Sequence, residues 1–125
     1  PGLVFGLDRG GCCRGVAFLI AACDVPVVFQ ALWRREMITG AYAPRWLTCH
    51  TEAAPVRGLV FLLNRACQEY AAGISDDRLL ASVRNAVGHS GPCLDYVVET
   101  ERALRAHGID DWRLGDLVRR LGQAF

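Results

Sequence analysis

The 125-residue sequence contains no lysine, and all 14 of its basic residues are arginine. That absence excludes Schiff-base catalysis and the phosphate-cradling lysine of a P-loop together. Arginine has GC-rich codons and lysine does not, so the bias reads as that of a GC-rich coding sequence. Methionine is nearly missing as well: Met37 is the sole one, and the first residue is Pro1. The chain is therefore expected to be a processed or excerpted piece with further sequence upstream. Long apolar runs are lacking. The longest, Val16–Cys23, has eight residues, whereas a membrane span needs about 20. Pro1-Gly2-Leu3 offers neither the basic flank nor the apolar stretch of a signal peptide. An excess of either charge is also missing. Fourteen basic residues against 13 acidic ones give +1, which argues against electrostatic capture of nucleic acid or of an anionic membrane. Cysteines occur at positions 12, 13, 23, 49, 67 and 93, but no Cys-x-x-Cys pair exists and no histidine stands at a zinc-finger spacing. Several fall in apolar runs, where a thiol behaves as a small hydrophobe. They are expected to be reduced and unliganded, in a cytoplasmic protein without a metal site.

What is present fits one globular domain. The apolar share is 52% and the charged share 22%, and a chain of this size buries roughly two-thirds of the surface it exposes unfolded. The first half reads as strands and turns. Leu3-Val4-Phe5 is short and apolar, and Asp8-Arg9-Gly10-Gly11 reads as a hairpin turn, since paired glycines supply the positive φ such turns need. Cys13–Ile20 follows as the partner strand. Trp46–Thr51 and Val56–Leu63 are two further strands rich in β-formers, joined through Ala53-Ala54-Pro55. Between the second and third strands the pattern predicts a helix over 24–37, with Asp24 as N-cap and Pro26 in the first turn.

The second half reads as helices. Ser75-Asp76-Asp77 opens one carrying Leu79, Leu80, Val83 and Val87 on a face closed by Gly88. Ser90-Gly91-Pro92 starts another, with Cys93, Val97, Thr100 and Leu104 inward and Gly108 at its end. Asp110 or Asp111 opens the last, with Leu114, Leu117, Val118 and Leu121 on one side. There are no internal repeats. Strands first and helices later predict an α+β fold: a small, strongly curved antiparallel or mixed sheet or barrel over residues 3–64, with helices packed around it from 75 onward.

One local feature points to chemistry. Val25, Val28, Phe29 and Leu32 form an apolar stripe on the 24–37 helix, and a rotation of about 100° per residue places Glu36 on that stripe, one turn beyond Leu32. A carboxylate in an apolar setting holds its proton more tightly and suits proton transfer near neutral pH. The other reading places Glu36 past the helix end, exposed or paired with Arg34 or Arg35. The three histidines are separate in sequence, and Gly88-His89-Ser90-Gly91 is not a Gly-x-Ser-x-Gly elbow.

Four separated motifs, in order, resemble those of the ChaC-like γ-glutamylcyclotransferases. They are Gly6-Leu7-Asp8-Arg9-Gly10-Gly11 with Arg14–Phe18; Leu32-Trp33-Arg34-Arg35-Glu36-Met37 with Gly40-Ala41-Tyr42 and Pro44-Arg45-Trp46; Asn64-Arg65; and Gly88-His89-Ser90-Gly91 with Leu94-Asp95-Tyr96. The resemblance covers nearly the whole chain. It implies an enzyme that cleaves glutathione to 5-oxoproline and cysteinylglycine without a cofactor. The substrate's own α-amine attacks its γ-carbonyl, so a base, an acid and oxyanion donors are needed. The family's catalytic glutamate falls on Glu36, and its two pocket tyrosines fall on Tyr42 and Tyr96. The sequence departs from the family in one respect. Members begin with a strand and a Tyr-Gly-Ser-Leu turn whose amides hold the γ-glutamyl group, and no such motif occurs here. A partial domain without its N-terminal strand is the expectation, with an exposed apolar edge where that strand would pair. A catalytically dead relative serving as a binding domain, and a cyclotransferase for other γ-glutamyl amines, are the alternatives.

Overall fold

The computed structural model describes residues 2–122. In chain order the elements are α1 (Val25–Met37), β1 (Tyr42–His50), β2 (Pro55–Leu63), α2 (Asp76–Asn85), the two-residue strands β3 (Val87–Gly88) and β4 (Gly91–Pro92), α3 (Cys93–Ala106) and α4 (Trp112–Gly122). The fold is α+β. The described residues divide into two compact units: Gly6–Ala71 forms one, and the residues up to Phe5 together with those from Ala72 onward form the other.

In the Gly6–Ala71 unit, β1 and β2 pair antiparallel, with Tyr42 opposite Leu63 and His50 opposite Pro55. Proline at the first position of a strand sacrifices no ladder bond that the sheet needs. The turn between them is closed by Thr51, whose Oγ1 accepts the Ala54 N–H at 3.2 Å and donates to the Ala54 carbonyl at 2.7 Å. The hairpin is half-buried near the Tyr42–Leu63 end and exposed toward the turn, where Trp46, Leu47 and Val56 face solvent. Among the described residues this sheet has two strands and does not close into a barrel.

Two strands anticipated from sequence are not formed. Among the described residues Leu3–Phe5 and Cys13–Ile20 have no ladder partner, and the amides of Leu3 and Phe5 bond side chains of α3 instead of a strand. Gly10 and Gly11 do take positive φ, +90° and +77°, yet no hairpin follows, because residues 13–20 do not return along the preceding segment. The apolar side chains of that stretch are consequently exposed, Phe18 and Leu19 most of all. A single parallel bridge, Leu7 to Leu62, attaches the N-terminal part of the unit to β2, with the Leu63 N–H donating to the Leu7 carbonyl at 2.7 Å. Gly6 makes that approach possible, since a Cβ there would lie 2.6 Å from Leu63 Cδ2.

The unit from Ala72 onward holds every buried hydrophobic residue among those described: Val83, Cys93, Val97, Leu114, Leu117 and Leu121. The helical repeats foreseen in sequence supply them. Leu114, Leu117 and Leu121 recur at intervals of three and four and face the core from α4. Asp111 caps that helix, its Oδ1 accepting the amides of Arg113 and Leu114 at 3.0 and 3.1 Å. Gly108, at φ +67°, ends α3 in a left-handed turn. α2 is shorter than its apolar pattern suggests. Ala86 is extended, so Val87 leaves the helix face, pairs with Pro92 and is 76% exposed. His89 and Ser90 form the tight loop of this small hairpin, and Gly91 sits at φ +118°. The N-terminal residues complete the unit: Leu3 N–H reaches Cys93 Sγ at 3.3 Å, and Leu3 packs against the buried cluster.

Candidate active site

The half-buried positions of α1 are Val28, Leu32, Glu36 and Met37. Three of them recur every four residues and carry Glu36 at their end, but Val25 and Phe29, expected on the same stripe, are exposed, so only Val28 and Leu32 of that stripe are half-buried. The Glu36 side chain is 17% exposed, whereas that of Arg35 is 73% exposed and reaches over it, donating from Nε to Glu36 Oε1 at 2.7 Å. Both sequence readings hold in part: the carboxylate is on the half-buried stripe, and it is paired with Arg35. Among the described residues Oε2 accepts no further hydrogen bond.

A short connection leads from Glu36 to Tyr42. Thr39 Oγ1 accepts the Ala41 amide at 3.3 Å, and Gly40 takes φ +70°, which turns the chain into β1. Tyr42, half-buried, is the first residue of β1. Asn64, immediately after β2, grips this connection. Its backbone N–H donates to the Ala41 carbonyl at 2.8 Å and its Nδ2 to the Gly40 carbonyl at 3.0 Å. Glu36 and Tyr42 thus share one unit. Tyr96 belongs to the other, on α3, where its ring stacks on Phe5 at 5.8 Å and its hydroxyl accepts the Phe5 N–H at 3.1 Å. That hydroxyl keeps its own proton for donation.

An open hollow of about 370 Å³ lies along the neighbouring face of α1, lined by Phe29, Gln30, Trp33 and Arg34. Phe29 and Trp33 stack there with centroids 5.4 Å apart. Glu36 is not among the lining residues.

Sequence reasoning passed over a charged cluster in the Gly6–Ala71 unit. Asp8 Oδ1 accepts from Arg65 Nε at 2.9 Å and from the Arg9 amide at 2.7 Å, while Oδ2 accepts from the Tyr70 hydroxyl at 2.6 Å. Arg65 also donates from Nη2 to the Arg9 carbonyl at 3.1 Å. The Arg65 hydrogen bond, then those of Tyr70 and the Arg9 amide, hold the Asp8 carboxyl far below the usual carboxylate range. The same carboxylate raises the Tyr70 hydroxyl above its ordinary value. Within the turn that brings Tyr70 into place, the Cys67 thiol donates to the Glu69 carboxylate and lowers its proton affinity. The signal available in sequence was Asn64-Arg65, read as a motif but without a partner, because Asp8 lies 57 residues away.

All six cysteines are free, and among the described residues no cluster of three or more His, Cys, Asp or Glu side chains is placed to hold a metal ion. No described helix is long and apolar enough to cross a membrane.

Comparison with known proteins places this geometry in context. Residues 1–124 match the family model described as ChaC-like protein. The chain belongs to the ChaC-like family. It is also similar, at 29% identity over 119 residues, to the glutathione-specific gamma-glutamylcyclotransferase of Escherichia coli (strain K12). That alignment takes in 94% of this chain but 52% of the relative, so the chain spans about half the length of the curated protein it matches. No solved structure gives a significant match.

Proposed function

We propose that the chain acts as a glutathione-specific γ-glutamylcyclotransferase, converting glutathione to 5-oxoproline and cysteinylglycine in the cytoplasm, with Glu36 as its proton-transfer residue and no cofactor. The observation that carries this reading is the half-buried Glu36 carboxylate at the end of the α1 stripe, in a chain of the ChaC-like family. The name of the Escherichia coli relative supplies the substrate.

Each group has a defined task. Glu36 takes a proton from the substrate's α-ammonium, and the freed amine attacks the γ-carbonyl carbon. A C–N bond forms to close the five-membered ring, and the bond to the cysteinyl nitrogen breaks. Glu36 returns that proton to the departing amine, and the second proton, left on the ring nitrogen by the attack, follows through the same carboxylate, which gives the lactam N–H and the cysteinylglycine ammonium and regenerates the carboxylate. Arg35, bonded to Oε1, fixes the carboxylate's orientation and leaves Oε2 to face the ammonium. Tyr42 is assigned to substrate binding through its place beside the Glu36 connection; for Tyr96, in the other unit, the same role rests on the family resemblance alone.

Glu36→Gln retains shape and hydrogen bonding but cannot accept the proton. Turnover should fall by about 10²–10⁴-fold, with little change in KM. Formation of 5-oxoproline from glutathione, followed for the two proteins side by side, measures it. Turnover within twofold of the parent removes Glu36 from the mechanism. Absence of turnover in the unsubstituted chain, with retained glutathione binding by calorimetry, favours a non-catalytic binding domain. Turnover of other γ-glutamyl amines but not of glutathione shifts the substrate class.

A further inference from the structure

We infer that Asn64 is a positioning residue for the proposed cyclisation: it holds the Gly40–Ala41 connection and thereby fixes the spacing between Glu36 and Tyr42. This rests on the reading of Glu36 as the proton-transfer residue. The geometry is specific. Asn64 uses three of its groups at once: its amide on the Ala41 carbonyl at 2.8 Å, its Nδ2 on the Gly40 carbonyl at 3.0 Å, and its Oδ1 as acceptor for the Ala66 N–H at 3.1 Å. The orientation of the side-chain amide follows from these partners, since only oxygen can receive the Ala66 N–H and only nitrogen can face the Gly40 carbonyl.

The gripped segment needs such a hold. α1 ends at Met37, Ile38 is its C-cap, and Gly40 adopts φ +70°, a conformation in which glycine is nearly as free elsewhere as here. Thr39 adds one internal bond, to the Ala41 amide. The only side chain outside the connection that bonds its backbone, among the described residues, is Asn64. A bond from residue 64 to residue 40 also joins the end of β2 to the end of α1 across 24 positions, so the helix bearing Glu36 and the strand beginning at Tyr42 share one anchor. Misplacing a reacting group by about 1 Å can cost on the order of 10²-fold in rate.

Two substitutions isolate the Gly40 contact. Asn64→Asp keeps the size and the acceptor for Ala66 while setting oxygen against the Gly40 carbonyl. Asn64→Ser keeps a local acceptor without charge and cannot reach Gly40. Both should lower kcat by about 10- to 100-fold while KM changes by less than about threefold. Both should speed hydrogen exchange of the residue-64 amide at least tenfold, because the Ala41 carbonyl it bonds is no longer held. Leu121→Ala, in the buried cluster of the other unit, serves as the comparison: it lowers thermal stability and should leave kcat unchanged. A loss confined to Asn64→Asp assigns the effect to charge and overturns the inference. So does an equal kcat loss in Leu121→Ala, which would reflect general destabilisation. Normal turnover in both Asn64 variants, with Glu36→Gln inactive, overturns the positioning role and leaves the base assignment standing. Normal turnover in Glu36→Gln overturns both. In a protein without turnover, unaltered exchange at residue 64 overturns it, and accelerated exchange supports the grip.

Discussion

Asp8 is the charge around which the Gly6–Ala71 unit ties its loose N-terminal segment, and its chemistry sets how that tie responds to pH. Its carboxylate is depressed by Arg65, Tyr70 and the Arg9 amide. A depressed carboxylate stabilises the fold fully above the unfolded value, about pH 4, and the contribution is lost as pH falls below it toward the lowered folded value. Tyr70 acts in the opposite sense. Its hydroxyl is raised, so its contribution is full below about pH 10 and is lost as pH climbs through the raised value. The tie is therefore complete between these limits. Asp8→Asn should flatten the acid side of a plot of urea midpoint against pH, and Tyr70→Phe should flatten the alkaline side. An acid limb unchanged in Asp8→Asn would show that other carboxylates dominate it. The half-buried place of Glu36 on α1 was legible in the sequence because its evidence is local: four-residue spacing on one helix. Asp8, Arg65 and Tyr70 were not, because nothing in a pattern of nearest neighbours reports a partner 57 or 62 residues away.

Elements whose stabilising partners lie within a few residues were readable; those needing a distant partner were not. α3 and α4 carry their own apolar repeat, Gly108 ends α3, and Asp111 occupies the N-cap position of α4 as its residue type suggests. Asp111→Ala should cost about 1 kcal/mol of stability, read as a lowered denaturation midpoint with an unchanged slope. The β1–β2 hairpin was found for the same reason, and the sequence placed its strands within a few residues of their ends. Cys13–Ile20 has the composition of a strand but no neighbouring strand to complete it, so composition alone misled. The Leu7–Leu62 bridge is the sole attachment of residues 6–20 to the ladder among the described residues, and it depends on Gly6. Gly6→Ala would press a methyl to 2.6 Å from Leu63 Cδ2. The amide of Leu63, bonded to the Leu7 carbonyl, should then exchange faster than in the parent. Unchanged exchange there would mean that Leu63 shifts aside at no cost.

Across the whole molecule, burial is distributed unevenly. Every buried hydrophobic residue described lies at or beyond Val83, and none lies within Gly6–Ala71. Stability should follow that division: amides of α2, α3 and α4 exchange slowest, while those of 12–20, which form no backbone hydrogen bonds among the described residues, exchange at rates close to those of an unstructured peptide. Leu121→Ala should cost about 2–5 kcal/mol, and protection in α4 should fall with it. Comparable protection across 12–20 and α3 would refute the division. The attachment of Leu3 and Phe5 to α3 has a further consequence, one of timing. Phe5 meets Tyr96 91 positions later in the chain. At translation rates of about 5–20 residues per second, Leu3 and Phe5 leave the ribosome roughly 5–20 s before the helix that receives them. For that interval Leu3 and Phe5 have nowhere to dock.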